Sequence, residues 1–307
     1  MILNGFFYTS CALFAFAFNS ILCRMALGKD EIDAASFTSI RLLAGAVMLL
    51  ALVAVRSRGT SPRVSKGELR ESEDSPLLTR GLVPGGSGLL QSGNWLSAFF
   101  LFAYAVCFSF AYLGLTTGTG ALILFGSVQM TMIAVSLVRG ERPKVLEWLG
   151  LVIAVGGLVY LVFPGLTSPP LLNSALMAAA GTAWGAYSLR GRGSKDPLAD
   201  TMGNFVRSLP MIAVVAAVFY PQIHLSSRGI ILAILSGAVA SGVGYTIWYT
   251  ALKFHTATRA AVLQLSVPVI AAVGGIVFLA ETFSTRLLVA GIMIILGIGM
   301  TIFGKRS

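Results

Sequence analysis

Apolar residues in this chain do not recur at the spacing of a surface helix. They fill blocks of about twenty positions, separated by short clusters of charged residues, Ser, Thr, Pro and Gly. About 20 residues rising 1.5 Å each cross a hydrocarbon core of roughly 30 Å, so such blocks read as membrane-spanning helices. Ten can be marked, at residues 2–24, 34–55, 95–114, 118–138, 145–163, 170–189, 199–220, 229–251, 258–280 and 286–304. The expectation is an all-α integral membrane protein of ten transmembrane helices. The opening block, Met1 to Cys23, lacks a basic leader and is longer than a signal-peptide core, so it is expected to stay as the first helix. An even number of spans puts both termini on one side.

The blocks also repeat. Ala260 to Pro268, then Leu279-Ala280-Glu281, then Gly291 and Gly297 echo Ala121 to Gln129, Arg139-Gly140-Glu141, and Gly150 and Gly156. Further forward, Phe16, Asn19, Ser20 and Arg24 match Trp184, Tyr187, Ser188 and Arg192 at an offset of 168. Arg41 matches Arg207 at 166, and Phe108 and Tyr112 match Tyr245 and Tyr249 at 137. The drop from 166 to 137 marks an insertion in the first half only. Residues 1–56 and 95–165 therefore form a first five-helix repeat, 57–94 a flexible linker, and 166–307 a second five-helix repeat. Five is odd, so the second repeat is expected to enter the bilayer inverted relative to the first. Inverted repeats are a common transporter plan, with substrate held near the midplane where the units meet.

Composition agrees with this reading: 56% of the 307 residues are hydrophobic, 11% are charged, and the net charge is +10. Sixteen of the 22 Lys and Arg residues fall on the side of the termini and four, Arg24, Lys29, Arg228 and Arg286, on the other. The positive-inside rule then predicts cytoplasmic termini, and topology accounts for the charge without a nucleic-acid partner. The linker is the one long polar stretch; within it, Leu82 to Ser87 is one residue away from a thrombin-cleavage tag, and both an engineered scar and a natural Gly-rich loop fit. Cys11, Cys23 and Cys107 all lie in apolar blocks, which suits helix packing better than a disulfide or metal site.

Ten spans in two halves, with Arg139-Gly140-Glu141 and Leu279-Ala280-Glu281 ahead of glycine-bearing final spans, resemble the EamA-type transporters of the drug/metabolite transporter superfamily. The resemblance implies an inner-membrane carrier whose cavity is lined by spans 1 to 4 and 6 to 9, with spans 5 and 10 peripheral. It also implies a small-molecule substrate, such as an amino acid or another metabolite, in a membrane-lipid setting. No cofactor is implied, and a homodimer is compatible with it.

Arg41 and Arg207 are the only charges well inside spans, where burial costs at least ~2.5 kcal/mol and marks a functional hypothesis. They suggest clamps for a carboxylate or phosphate, against the plainer reading of side chains bonding helix-end carbonyls. Tyr104, Phe108 and Tyr112 share one face of span three, Tyr245, Trp248 and Tyr249 one face of span eight, and Trp184 and Tyr187 one face of span six. Such a stripe is usually packing or an interfacial belt, and the matched positions in the two halves add an aromatic-walled cavity as a second reading. Asn19, Ser20, Ser188, Gln129 and Gln264 are polar groups near span centres, open to helix pairing or to substrate. Pro210 and Pro268 interrupt the backbone ladder within spans and are candidate gating positions. All twelve acidic residues lie in loops or at span ends, which favours movement down a gradient or exchange over proton antiport. No zinc-protease, serine-hydrolase or phosphate-loop motif occurs, so the chain reads as a carrier rather than an enzyme. A lipid-linked substrate flippase and a passive channel are the alternatives.

Overall fold

The computed structural model describes residues 2–59, 92–138, 145–163, 168–191, 194–252, 254, 263–282 and 284–304. Most of the expected linker, Arg139-Gly140-Glu141, Arg192, His255 and the start of the ninth expected span lie outside these residues. The described residues are helical throughout, apart from short connections and one isolated antiparallel bridge between Ile32 and Leu225.

In chain order the helices are α1 (Ile2–Leu27), α2 (Ala34–Gly59), α3 (Trp95–Ala111), α4 (Thr117–Val138), α5 (Val145–Val162), α6 (Leu171–Gly191) and α7 (Pro197–Val218). Next, α8 (Ser227–Ile234) continues through a π-helical stretch (Leu235–Val243) into α9 (Gly244–Leu252), followed by α10 (Ser266–Leu279) and α11 (Thr285–Gly304). Six segments are long and apolar enough to cross a membrane, and three further apolar helices, including α3 and α10, are shorter. Large apolar side chains such as Phe14, Val47, Trp148, Val152 and Val277 remain exposed around the bundle, as expected of a surface solvated by lipid.

Local chemistry sets the helix ends. Asn94 caps α3 by accepting from the Ser97 N–H at 2.8 Å, and Ser226 caps α8 by accepting from Gly229 at 2.9 Å. Asp33 does the same for α2 through the Ser36 N–H at 2.8 Å. Asp196 caps α7 with Pro197 at its first position, where a missing N–H costs nothing. α10 closes on Ala280 in the left-handed region, φ 54°, with the Ala280 and Glu281 N–H groups turned back to Ile276 and Gly275.

Helices consecutive in the chain alternate in direction. The ends of α1, α3, α5 and α10 meet the starts of α4, α6, α8 and α11 at one end of the bundle, called the upper end. The end of α2 and the starts of α3 and α7 meet at the lower end. α3 packs on α6 and α4 on α6, while the α8–α9 segment and α10 pack on α1; α2 pairs with α7, α4 with α10, and α5 with α11. α5 and α11 touch at backbone distance: a Cβ on Gly297 would stand 2.5 Å from the Ala154 nitrogen and the Gly150 carbonyl oxygen.

Candidate functional site

Inside the bundle, α1, α3, α4, α6 and α9 surround a small cavity. Phe16, Asn19 and Ser20 of α1, Tyr104 and Phe108 of α3, Trp184 of α6 and Tyr245 of α9 form most of its wall, and α4 adds Leu124 and Phe125. The aromatic rings interlock, with Trp184 centred 4.9 Å from Tyr104 and 4.8 Å from Tyr245, and Phe16 meeting Trp184, Tyr245 and Trp248 edge-on. In this conformation the rings leave room for about one ordered water.

A buried polar chain crosses this wall. Ser236 Oγ donates to Asn19 Oδ1 at 2.6 Å, and Asn19 Nδ2 donates to the Tyr104 hydroxyl at 3.1 Å. Arg41 Nη2 donates to the same hydroxyl at 2.8 Å and to Ser241 Oγ at 3.5 Å. The Arg41 guanidinium also lies 5.1 Å from the centre of the Tyr104 ring and 4.9 Å from that of Phe108. Arg41 is 1% exposed, and among the described residues its Nη1 has no hydrogen-bond acceptor.

The π-helical stretch makes these contacts reachable. Its Ser236 and Ser241 both point at the network, and Gly237 lies so close to α2 that a Cβ there would stand 2.1 Å from the Arg41 carbonyl oxygen. Such widened turns inside α-helices are frequent at functional sites.

The expected site residues divide into groups. Asn19, Tyr104, Trp184 and Tyr245 line the cavity. Arg41 stands directly behind Tyr104 and Phe108, while Trp248 and Tyr187 pack behind Phe16 and Trp184. Tyr112 is buried away from the cavity wall, its hydroxyl donating to the Thr117 carbonyl at 3.3 Å. Gln129 is buried with an unpartnered Nε2, and Gln264 is half-buried; neither reaches the wall. Arg207 is separated from Arg41 in role as well as place: its Nη1 donates to the Ser92 carbonyl and, at 3.1 Å, to that of Gly203 one turn back. The two arginines therefore do not form a pair of clamps, because the second is already satisfied by backbone at the lower end. Pro210 sits exposed within α7. Pro268 lies in the first turn of α10, and the helical residues 263–264 are divided from α10 by a turn at Leu265, the break expected when Pro268 cannot bond the Gln264 carbonyl.

Five residues of the site were not among the expected ones, Leu124 and Phe125 being ordinary members of an apolar block. Phe16 had drawn notice only as part of the repeat. Ser236 and Ser241 carried no signal beyond an unusually small-residue stretch, Ser236-Gly-Ala-Val-Ala-Ser241-Gly.

Polar contacts tie the bundle together above and below the cavity. At the upper end Glu281 accepts from the Thr117 N–H at 2.8 Å, capping α4 from another helix, and pairs with Arg24 at 3.3 Å. Arg24 also donates to the Tyr112 carbonyl at 3.0 Å. Beside them, Glu31 accepts from Ser226 at 2.8 Å and Asp33 from the His224 N–H at 3.1 Å. At the lower end Arg56 pairs with Asp196, Arg190 donates to Ser97 and Asn94, and Asp200 and Asn204 accept from the Gly93 and Asn94 N–H groups.

A helical bundle with a lipid-type surface and a polar-aromatic chamber in its interior defines a multi-pass membrane protein. The chain belongs to the EamA-like transporter family, whose family model matches residues 172–303. It is a transporter of the drug/metabolite superfamily, acting on small molecules in a lipid setting, and not an enzyme. A protein of Pseudomonas aeruginosa is 43% identical over 95% of this chain and 92% of its own, and its name assigns no function. A protein of Escherichia coli K12 named "Probable amino-acid metabolite efflux pump" is 23% identical, over 66% of this chain and 73% of its own. The threonine/homoserine exporter RhtA of the same strain is 29% identical over 57% of this chain and 60% of its own. One crystal structure superposes with a TM-score of 0.63 over 97% of this chain and 99% of its own at 17% identity, a likeness of fold alone.

Proposed function

We propose that the protein is a secondary carrier that exports a small amino-acid-like or amphipathic metabolite across the inner membrane by alternating access. Two inverted five-helix repeats, ten spans in all, enclose the cavity. The pairing of helices supports the inverted arrangement: exchanging each helix of the first five for its counterpart in the second turns the α3–α6 contact into the contact of α8–α9 with α1. The same exchange leaves the α2–α7, α4–α10 and α5–α11 pairs in place.

The observation that carries the reading is the chamber itself, with polar ties across the bundle on both sides of it. A carrier needs a site that can be sealed from each face in turn, and this conformation has both faces tied. Asn19, Tyr104, Trp184 and Tyr245 would contact the solute, with Tyr112, Gln129, Tyr187, Arg207, Trp248 and Gln264 supporting or flanking the path. Pro210 and Pro268 would act as bending points. The names of the relatives support amino-acid-like cargo.

Counterflow in proteoliposomes tests the mechanism. Vesicles loaded with an unlabelled L-amino-acid mixture should accumulate external labelled L-threonine or L-phenylalanine transiently above equilibrium. Uptake of these solutes without trans-stimulation would indicate a channel, and movement of labelled lipid a flippase; either outcome contradicts the carrier.

A further inference from the structure

Among the described residues the charge on Arg41 has no counterpart. A guanidinium keeps its proton at any physiological pH, and this one is 1% exposed about two turns into α2. The described ion pairs, Arg24–Glu281, Arg56–Asp196 and Arg228–Glu31, all lie at the ends of the bundle. Among the described residues the groups around Arg41 are neutral: the Tyr104 and Ser241 hydroxyls and the faces of two rings, with Tyr245 and Cys23 nearby. A buried cation without an anion is destabilising unless something supplies one.

The direction of the hydrogen bonds points the same way. The Tyr104 oxygen accepts from both Asn19 and Arg41, so its lone pairs are engaged, and its own O–H, beside the Tyr245 hydroxyl, can act only as a donor. Asn19 Oδ1 is likewise engaged, accepting from Ser236. Arg41 Nη1 has hydrogens and no acceptor. The network thus ends in donors and one positive charge, and it lacks acceptors and one negative charge. A carboxylate supplies both, in the planar form that a guanidinium fork matches.

We propose that Arg41 anchors the carboxylate of the transported solute, with the Tyr104 hydroxyl as second donor and the body of the solute against Phe16, Trp184 and Tyr245. The assignment rests on the carrier reading and narrows it: the cargo is a small carboxylate, either a zwitterionic amino acid or a simple monocarboxylate, and not an organic cation. Tyr104 and Phe108 stand between Arg41 and the hollow, so the anion reaches the guanidinium past the Tyr104 hydroxyl. Arg207, the counterpart of Arg41 in the second half, spends its donors on the Ser92 and Gly203 carbonyls, so the anchor belongs to one half only.

The test is binding to the full-length protein in lipid nanodiscs, read by tryptophan fluorescence and by thermal shift. The probes are L-threonine and L-phenylalanine, their carboxamides, the deaminated acids 3-hydroxybutyrate and 3-phenylpropionate, and tetramethylammonium. At least one carboxylate should bind tenfold or more tightly than its carboxamide, and the tighter of zwitterion and deaminated acid identifies the source of the anion. Arg41→Gln should erase that difference by weakening the carboxylate alone, and Arg41→Lys should retain part of it. The melting temperature of unliganded Arg41→Met should equal or exceed that of the wild type, which a purely structural arginine would not allow. Should Arg41→Gln fail to fold, Arg41→Lys decides: it must weaken carboxylate binding at least threefold. Equal binding of carboxamide or tetramethylammonium, unchanged carboxylate binding in the variants, or no binding by any probe would overturn the anchor. Wild-type counterflow distinguishes the two failures, since exchange of a cation keeps the carrier and removes the anchor, whereas absence of exchange removes the carrier.

Discussion

Tyr104 is the residue on which the site turns, because its single hydroxyl receives both Asn19 and Arg41. Tyr104→Phe keeps the ring in the wall but leaves two buried donors without an acceptor. It should lower apparent solute affinity about tenfold and stability by ~1–3 kcal/mol, read by counterflow kinetics and thermal melting. A glycine pair separates packing from propensity. Gly237→Ala would press a methyl into the Arg41 carbonyl, while Gly299 has nothing within 4 Å of an added Cβ. In a helix interior alanine is favoured over glycine by about 0.5–1 kcal/mol, so Gly299→Ala should raise the melting temperature or leave it unchanged. Gly237→Ala should lower it clearly and reduce transport. Asn19, Arg41, Tyr104, Trp184 and Tyr245 could be picked out beforehand because polar and aromatic groups stand out in apolar blocks. Ser236 and Ser241 could not, since a hydroxyl in such a helix usually bonds its own backbone, as Thr246 and Thr250 do here.

Helices were the most legible feature at the scale of elements: α2, α4, α5 and α11 begin and end close to the apolar blocks that foretold them. Two irregularities escaped, because periodicity does not report them. One is the π-helical stretch between α8 and α9, and the other is the turn at Leu265 that Pro268 imposes. The polar ties at the helix ends were also hidden, since they join residues far apart in sequence. Glu281, a span-end carboxylate in the sequence, caps α4 and pairs with Arg24. Glu281→Ala should remove both contacts and lower stability by ~1–3 kcal/mol. Glu281→Gln, which keeps an oxygen for the Thr117 N–H, should lose about half as much in thermal melts. At the lower end the hydrogen bond from Arg56 holds the Asp196 carboxyl below its ordinary pKa. Its contribution is present above the usual carboxylate range and fades as pH falls through the lowered value. Asp196→Asn keeps the helix cap and should lower the melting temperature slightly at pH 7; the difference from wild type should shrink below about pH 4.

For the whole molecule, the sequence repeat, the exchange symmetry of the helix pairs and the placement of basic residues all support two inverted halves with cytoplasmic termini. A C-terminal fluorescent-protein fusion should then be bright and an alkaline-phosphatase fusion inactive. The symmetry is broken where function is proposed, since Arg41 faces the network and Arg207 bonds backbone. Sequence similarity alone presents those two arginines as equivalents, and only their surroundings separate them. The account depends on the chamber around Ser20 being open to each side of the membrane in turn. Ser20→Cys, in a protein with Cys11, Cys23 and Cys107 replaced, can be exposed to a membrane-impermeant thiol reagent in right-side-out and in inside-out vesicles. Alternating access predicts labelling from both sides, slowed from both by a transported carboxylate. Labelling from neither side, or from one side only, would contradict it.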